Sequence, residues 1–322
     1  MAERVSIIFL AILLMTFTAI GQEIGYGPGY QTVLINNPAF TGSEGDGTLR
    51  LSYLNFYPGN SFNLHSVYVS YDSFIPEIHG GAGFFLSDDY LGGIINDLRG
   101  GISYAYHFQV DKNVFINAGL TASCYYRGFN NGSIILPDQI DPLNGNSLPS
   151  GESISEMGRA VLDLSTGIMI FSERFFAALA LNHLAAPDLA RSGFQPDRLK
   201  RKLVLNFAGK FNLNNSLQII VRPVLIAELQ NTERSLGAGG SLENNSLSLS
   251  SVLLVNSAKA IDLQTGCSLK KGRLLFFYNY RFNIASGNKI LPVSIMHQAG
   301  LALSLNYVDK RKIIKTINFP KL

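Results

Sequence analysis

The chain is poor in charged residues, contains only two cysteines and has no tryptophan. Asp, Glu, Lys and Arg make up 15% of its 322 residues, against roughly 25% in typical soluble domains. The formal net charge of +3 is too small to indicate a nucleic-acid partner. Cys124 and Cys267 lie far apart and match no metal or redox motif. We interpret both as small apolar side chains, because free cysteine commonly packs as one.

Long apolar runs are missing too, except at the N-terminus. Arg4 precedes an apolar run from Val5 to Ile20, and Ala19-Ile20-Gly21 is a small-residue cleavage site. This pattern predicts a signal peptide over residues 1–21 and a mature chain that begins near Gln22. No later stretch approaches the about 18 apolar residues of a membrane-spanning helix. The exported chain is therefore either a soluble β-protein or an outer-membrane β-barrel.

Glycine and aromatic residues are abundant, with 31 Gly, 21 Phe and 14 Tyr. Together with low charge, this composition suits a barrel whose outer face meets lipid and whose rims carry aromatic girdles. A glycine-rich periplasmic sandwich has a similar composition, so composition alone leaves both possibilities open.

Alternation with a period of two residues is the main structural signal. In residues 102–110, even-numbered positions are apolar or aromatic, and odd-numbered positions are small or polar. Residues 114–127 repeat the pattern, with Leu120 on the apolar face and Ser123 on the polar face. Such strands fit between lipid and a polar lumen. We predict strands at 48–57, 63–72, 80–88, 98–110, 113–127, 160–171, 174–184, 201–211, 215–228, 235–242, 246–255, 261–270, 272–282 and 297–308.

The connections between these strands alternate in length. Turns after even-numbered strands are mostly tight, as at Asp111-Lys112 and Lys270-Lys271. Long loops are predicted after odd-numbered strands, at 89–97, 128–159, 185–200 and 283–296. Short periplasmic turns and long outer loops are typical of bacterial barrels, whereas a sandwich has no reason to alternate in this way. The prediction is an all-β transmembrane outer-membrane barrel of about 14 antiparallel strands over residues 48–308.

Two segments lie outside the predicted barrel. Residues 22–47 are rich in Gly, Pro and Asn, and we predict an N-terminal arm that plugs the lumen or lies at the periplasmic rim. Residues 309–322 carry several Lys and Arg residues and are predicted to form a basic periplasmic tail. That tail is either simply solvated or a docking element.

No pattern for catalysis or for a cofactor is present. The five histidines are scattered, and none lies at metal-ligand spacing from a second ligand. The chain has neither a G-x-S-x-G elbow nor a phosphate-binding loop. The sequence therefore predicts a protein that is not an enzyme and has no cofactor. It leaves open a catalytic site assembled from distant strands.

Several short motifs carry a family resemblance. Leu34-Ile35-Asn36-Asn37-Pro38-Ala39-Phe40-Thr41-Gly42 resembles the INPAYTG element at the start of the PorP/SprF family, outer-membrane proteins of the type IX secretion and gliding system of Bacteroidetes-like bacteria. Further matches follow in order: Gly80-Gly81-Ala82-Gly83 with Asp89, Tyr104-Ala105-Tyr106-His107, Leu136-Pro137-Asp138-Gln139-Ile140-Asp141-Pro142, Asn182-His183-Leu184 with Pro187, and Arg222-Pro223. The chain departs from the family pattern at Leu54-Asn55-Phe56 and at His297-Gln298.

The resemblance implies an outer-membrane barrel without a recognised active site, which supports secretion or surface attachment of a partner. That partner would be a large adhesin or another secreted surface protein with a type IX C-terminal signal. Links to the periplasmic ring or motor components of the system are also implied. The alternative is an outer-membrane porin or small-molecule transporter built on the same barrel.

Two segments supply candidate partner-binding residues. Asn37 and Pro38 form either a binding element or a simple turn between arm and strand, because Asn-Pro stops strand propagation. The other candidates lie in the longest predicted outer loop, where prolines stiffen the chain and apolar side chains need a partner or a lumen to enter. They are Leu136, Pro137, Asp138, Ile140 and Asp141.

Overall fold

The computed structural model describes residues 32–45, 47–58, 64–129, 140, 158–190, 196–214, 218–286 and 294–305. The predicted signal peptide and the predicted basic tail lie outside these ranges. Within them, no helix has the length and apolar character needed to cross a membrane.

Most of the described chain is antiparallel strand. The strands are β1 (Thr48–Phe56), β2 (Leu64–Ile75), β3 (Gly80–Leu91), β4 (Ile95–Asp111), β5 (Val114–Phe129), β6 (Arg159–Phe171), β7 (Phe175–Asn182), β8 (Lys202–Gly209), β9 (Phe211–Asn214), β10 (Ile219–Gln230), β11 (Glu233–Glu243), β12 (Leu247–Asn256), β13 (Ile261–Lys271), β14 (Leu274–Ala285) and β15 (Ser294–Ser304). A short helix, α1 (Val33–Asn36), and a 3₁₀ turn, η1 (Pro38–Phe40), precede β1, and a second 3₁₀ turn, η2 (Pro76–Ile78), follows β2.

The sheet closes into a barrel of fourteen strands, as the sequence predicts, because β8 and β9 are two halves of one strand. Both halves pair with β10, and β1 pairs with β15 to complete the ring. The break falls at Lys210, between the pairs Ala208–Val224 and Phe211–Val221. Pro223 of β10 lies in this gap, and proline has no N–H to donate to a neighbouring strand.

The side chains alternate between the two faces of the wall as predicted. On β5, Leu120 faces outward and is 63% exposed, whereas Thr121 and Ser123 face the lumen and are buried. Aromatic rings line the outward face toward one end of the barrel, where His65 of β2 stacks on Tyr90 of β3 at 5.2 Å between ring centroids. An apolar outward band of this kind is the surface that an outer-membrane barrel presents to lipid.

The two ends of the barrel differ. One end, the short-turn rim, carries the connections at residues 76–79, 112–113, 172–174, 244–246 and 272–273, and the chain enters β1 there. The opposite end, the long-loop rim, carries the connections at 57–63, 92–94, 130–158, 183–201, 231–232, 257–260 and 286–293. The predicted alternation of short and long connections is therefore present, with exceptions at the long-loop rim.

The predicted long loop at 89–97 is wrong. Strands β3 and β4 extend to Leu91 and from Ile95, so the connection is only Gly92–Ile94. Gly92 and Gly93 adopt φ values of 64° and 79°, which glycine tolerates without strain. Asp97 lies within β4, where it pairs with Arg127 of β5 at 2.6 Å, and this ion pair compensates the carboxylate inside a strand.

Candidate functional site: a plugged lumen

Residues 32–45, which we call the plug, lie inside the barrel. The apolar residues Val33, Leu34 and Ile35 are buried in one cluster with wall residues that include Leu54 and Met296. Nearer the short-turn rim, the ring of Phe40 meets the edge of Phe176 of β7 at 5.9 Å between centroids. The described part of the N-terminal arm therefore lies in the lumen rather than at the rim.

Polar side chains of the wall bind the backbone of the plug. In each of three cases a side-chain N–H donates to a plug carbonyl: Asn182 to Asn36 at 3.1 Å, Asn117 to Ala39 at 3.2 Å, and His107 Nε2 to Thr41 at 2.9 Å. Buried carbonyls without partners are costly. These bonds therefore allow an irregular segment to lie in the lumen.

Glycines in the wall let the plug approach closely. A Cβ at Gly119 of β5 would overlap the backbone of Pro38, and one at Gly167 of β6 would overlap the side chain of Asn37. Asn37 Oδ1 accepts the Ala39 N–H at 2.9 Å and so caps the turn η1. The structure thus places the candidate residues Asn37 and Pro38 in buried contact with the chain's own wall.

A buried ionic group fastens the plug near the short-turn rim. Arg50 of β1, only 1% exposed, pairs with Glu44 of the plug at 3.0 Å and with Asp72 of β2. Asp72 Oδ2 also accepts the N–H of Gly42 at 2.7 Å. Removing one partner from a buried ion pair typically costs about 3–5 kcal/mol, because the remaining charge loses its compensation. This group therefore ties the plug firmly to two strands.

Side chains of the wall occupy part of the remaining lumen. Arg222 of β10 donates to Glu243 of β11 at 2.9 Å, and both side chains are buried. On β15, Gln298 is 1% exposed and binds Ser52 of β1 and Asn279 of β14. Inward-facing side chains are also buried on strands around the ring, for example Ser70, Ser87, Ser103, Ser165, Ala180, Val204, Val224, Ser241, Val252 and Gln264. A wide aqueous channel would leave such side chains accessible to water.

The connection between β7 and β8 folds over the lumen at the long-loop rim. We call its described residues, 183–190 and 196–201, the cap. Leu189 and Leu199 of the cap pack against Tyr125, which faces inward from β5. Beneath them His183 Nδ1 lies 2.8 Å from Asp163 Oδ2, and both side chains are buried.

Charged residues at the long-loop rim fasten the cap. Arg127 of β5 pairs with Asp197, and Arg159 of β6 donates to the carbonyl of Ala190. Asp188 accepts the N–H groups of Ala190 and Asp197, and these bonds, the one from Ala190 foremost, hold the pKa of that carboxyl below its usual range. The cap thus lies at the long-loop rim of the same lumen that holds the plug.

The second group of candidate residues is only partly described. Ile140 is 54% exposed, whereas Leu136, Pro137, Asp138 and Asp141 lie outside the described residues. Within the described ranges, no group of three or more His, Cys, Asp or Glu is placed to hold a metal ion. Cys124 and Cys267 are free and exposed.

The sequence alone did not identify the residues that fasten the plug and the cap, although several of them belong to the family-like motifs. Asn182, His107 and Gly81 belong to three of the family-like motifs, and each lies against the plug. Arg222 of a fourth motif forms the buried pair with Glu243. The order of these motifs along the chain was the available signal for these residues. Because the motifs are far apart in sequence, nothing in the sequence shows that their side chains contact the same arm.

Comparisons with known proteins agree with this architecture. No curated protein matches the chain. A mutant of the monoaromatic hydrocarbon channel TodX matches with a TM-score of 0.51 at 12% identity, over 84% of this chain and 93% of that one. The toluene transporters TodX of Pseudomonas putida and TbuX of Ralstonia pickettii give TM-scores of 0.47 and 0.49 at 13% and 12% identity. They cover 88% and 89% of this chain, and 94% of each of theirs.

The first of these likenesses shows the fold, an outer-membrane-type barrel. The family description "Type IX secretion system membrane protein PorP/SprF" matches residues 25–296, which include the plug and nearly the whole barrel. Family and fold are both of non-enzymatic kinds. The chain belongs to the PorP/SprF family of type IX secretion system membrane proteins.

Proposed function

We propose that this protein is an outer-membrane accessory or anchor of the type IX secretion system, which supports secretion or cell-surface attachment of a partner protein. The observation that carries this proposal is the occupied lumen: the plug fills it from the short-turn rim, and the cap covers it at the long-loop rim. A porin or small-molecule transporter, the alternative, needs a continuous path through the barrel. The protein acts without a catalytic site or cofactor.

The proposed location follows from the predicted signal peptide and the apolar outward band. A chain exported by residues 1–21 reaches the periplasm, and its barrel then inserts in the outer membrane with the short-turn rim in the periplasm. In this orientation the plug, and the proposed basic tail at 309–322, face the periplasmic ring or motor components. The cap and the loop between β5 and β6 face the cell exterior.

The partner at the cell exterior is proposed to be a secreted surface protein or adhesin with a type IX C-terminal signal. Its contact surface would be the loop that contains Leu136, Pro137, Asp138, Ile140 and Asp141. The exposed apolar side chain of Ile140 supports this surface, since such a side chain gains from burial against a partner. Asn37 and Pro38 would serve the partner indirectly, by keeping the plug in the lumen.

Shortening the loop between Asn131 and Ser155 tests the proposed role. We expect the barrel to assemble, because both flanking strands remain paired, and surface display of the secreted partner to be lost. Assembly is measured by heat-modifiable migration on gels, and display by antibody labelling of intact cells. A shortened barrel that assembles, stays closed in planar bilayers and displays its partner normally would remove the support for a binding loop.

The orientation has its own test with a pair of exposed turn residues. Ala258 lies in a turn of the long-loop rim and Asn245 in a turn of the short-turn rim. Each is replaced by cysteine in a chain whose own two cysteines are changed to serine. A membrane-impermeant thiol reagent should label Ala258→Cys on intact cells and Asn245→Cys only after the outer membrane is opened. The reverse labelling would invert the barrel.

A further inference from the structure

Three cationic residues lie side by side at the short-turn end of the lumen, on neighbouring strands. Lys210, between β8 and β9, donates its backbone N–H at 2.7 Å to the carbonyl of Arg174, which directly precedes β7. On the other side, the pairing of β8 and β9 with β10 places Lys210 opposite Arg222. We call Arg174, Lys210 and Arg222 the basic row.

The side chains of the basic row face the lumen. Phe176, Ala208 and Val224 pack together inside the barrel, and each lies two residues along the chain from one member of the row. Because side chains two residues apart lie on the same face of a strand, the row points inward as well. Ala208 pairs with both Phe176 and Val224. These three apolar residues therefore form a layer directly behind the row.

The basic row leads from the rim into the lumen. Arg174 is exposed, Lys210 is half-buried and Arg222 is only 5% exposed. Neighbouring strands lie about 5 Å apart, so a row across three of them is roughly 10 Å long. An elongated ligand can therefore reach the row from the rim.

The nearby carboxylates do not compensate the whole charge of the basic row. Glu243 of β11 is bound by Arg222, and Glu173 is exposed in the turn beside Arg174. Within the described chain, neither Arg174 nor Lys210 forms an ion pair with a carboxylate. Like charges at opposite positions of neighbouring strands destabilise a sheet. An anion bound at the row would relieve this repulsion.

We propose that the basic row binds an acidic peptide segment of a partner protein, which enters the mouth of the lumen from the periplasm. Arginine and lysine bind carboxylates through charge-assisted hydrogen bonds. A single small anion contacts only part of a row of this length, whereas three residues of extended peptide span about 10 Å and can carry several carboxylates. The ring of Phe40 contacts Phe176 behind the row, so the bound segment lies beside the plug. This proposal rests on the proposed orientation of the barrel, with the short-turn rim in the periplasm.

The test measures binding of a labelled tetra-aspartate peptide to the purified full-length protein by fluorescence anisotropy. A tetra-asparagine peptide, which has the same shape without the charge, should not bind. Arg174→Gln/Lys210→Gln should weaken binding of the aspartate peptide roughly tenfold, because two charged contacts are lost. Lys270→Gln/Lys271→Gln is the matched control, since it removes two exposed cations from the β13 end of the same rim. This control should change the affinity by less than about twofold.

Two results would overturn the proposal outright: absence of binding by the aspartate peptide, and equal weakening by the two double variants, which would show binding to the charge of the whole rim. Inorganic phosphate that displaces the peptide at a similar concentration would also overturn it, because the site would then fit a small anion. Should Arg174→Gln/Lys210→Gln fail to assemble, Arg174→Gln alone, in an exposed turn, should weaken binding about threefold, and an unchanged affinity would contradict the proposal. The measurement uses no cells, so its outcome is independent of the proposed role in surface display.

Discussion

Leu120→Arg should destabilise the barrel by roughly 2–4 kcal/mol, the cost of placing arginine on the lipid face near the bilayer midplane. Leu120 faces outward, is 63% exposed, and lies midway along β5 between Val114 and Tyr126. A guanidinium there loses its water without gaining a partner. The free energy of unfolding, measured by urea titration of the barrel in phospholipid vesicles, gives the loss directly.

Leu213→Arg is the matched control for this substitution. Leu213 is 69% exposed, but it lies at the short-turn end of β9, where an arginine side chain reaches water. The same change should cost only about 0–1 kcal/mol there, because the penalty falls toward the interface. Equal losses from the two substitutions would show that the outward band does not face lipid.

The lumen-facing side of β5 has less free space than a roomy lumen would provide. The sequence predicts that Ser123→Arg is mild if the lumen has space for the side chain. Ser123 is only 4% exposed, and a Cβ added to Gly101 would already lie 3.1 Å from it. Ser123→Arg therefore has little room, and its damage reports packing of the lumen rather than contact with lipid.

The strands could be predicted from the sequence because each one carries its own alternation. Ile102 and Leu120 face outward and Ser103 and Thr121 face inward, as local period-two reasoning requires. Closing the sheet into a barrel does not change which face each side chain occupies, because every amphipathic strand needs the same apolar and polar environments. At 89–97, where a loop is predicted, β3 and β4 continue instead, and Arg127 of β5 compensates the charge of Asp97 within the sheet.

The plug could not be placed from the sequence for a physical reason. Residues 32–45 have no alternation to follow, and their stability depends on partners that are far away in the chain. Asn182 donates to Asn36, 146 residues away in the chain, only when the arm lies inside the barrel. Composition indicated an irregular arm, whereas its position depends on polar and glycine residues from β4, β5, β6 and β7 acting together.

Deletion of residues 33–41 should open the barrel to ions. This change removes the apolar residues of α1 and the turn η1, together with the carbonyls that Asn117, His107 and Asn182 bind. A cavity lined by these unpaired polar side chains should fill with water, because each of them loses its hydrogen-bond partner. We expect a steady conductance in planar bilayers that the intact protein lacks. A deleted barrel that assembles and still conducts nothing would show that the wall alone closes the lumen.

Gly119→Val tests the same idea without removing any residue. A side chain at Gly119 would overlap the backbone of Pro38, so the plug must shift away from β5. Gly100→Val is the control, since Gly100 faces outward and the nearest atom to an added Cβ is a Leu86 methyl at 3.5 Å. We expect intermittent conductance from Gly119→Val and none from Gly100→Val, with both barrels folded by heat-modifiable migration. If both variants stay closed while the deletion conducts, the plug seals the lumen without depending on its close contact with β5.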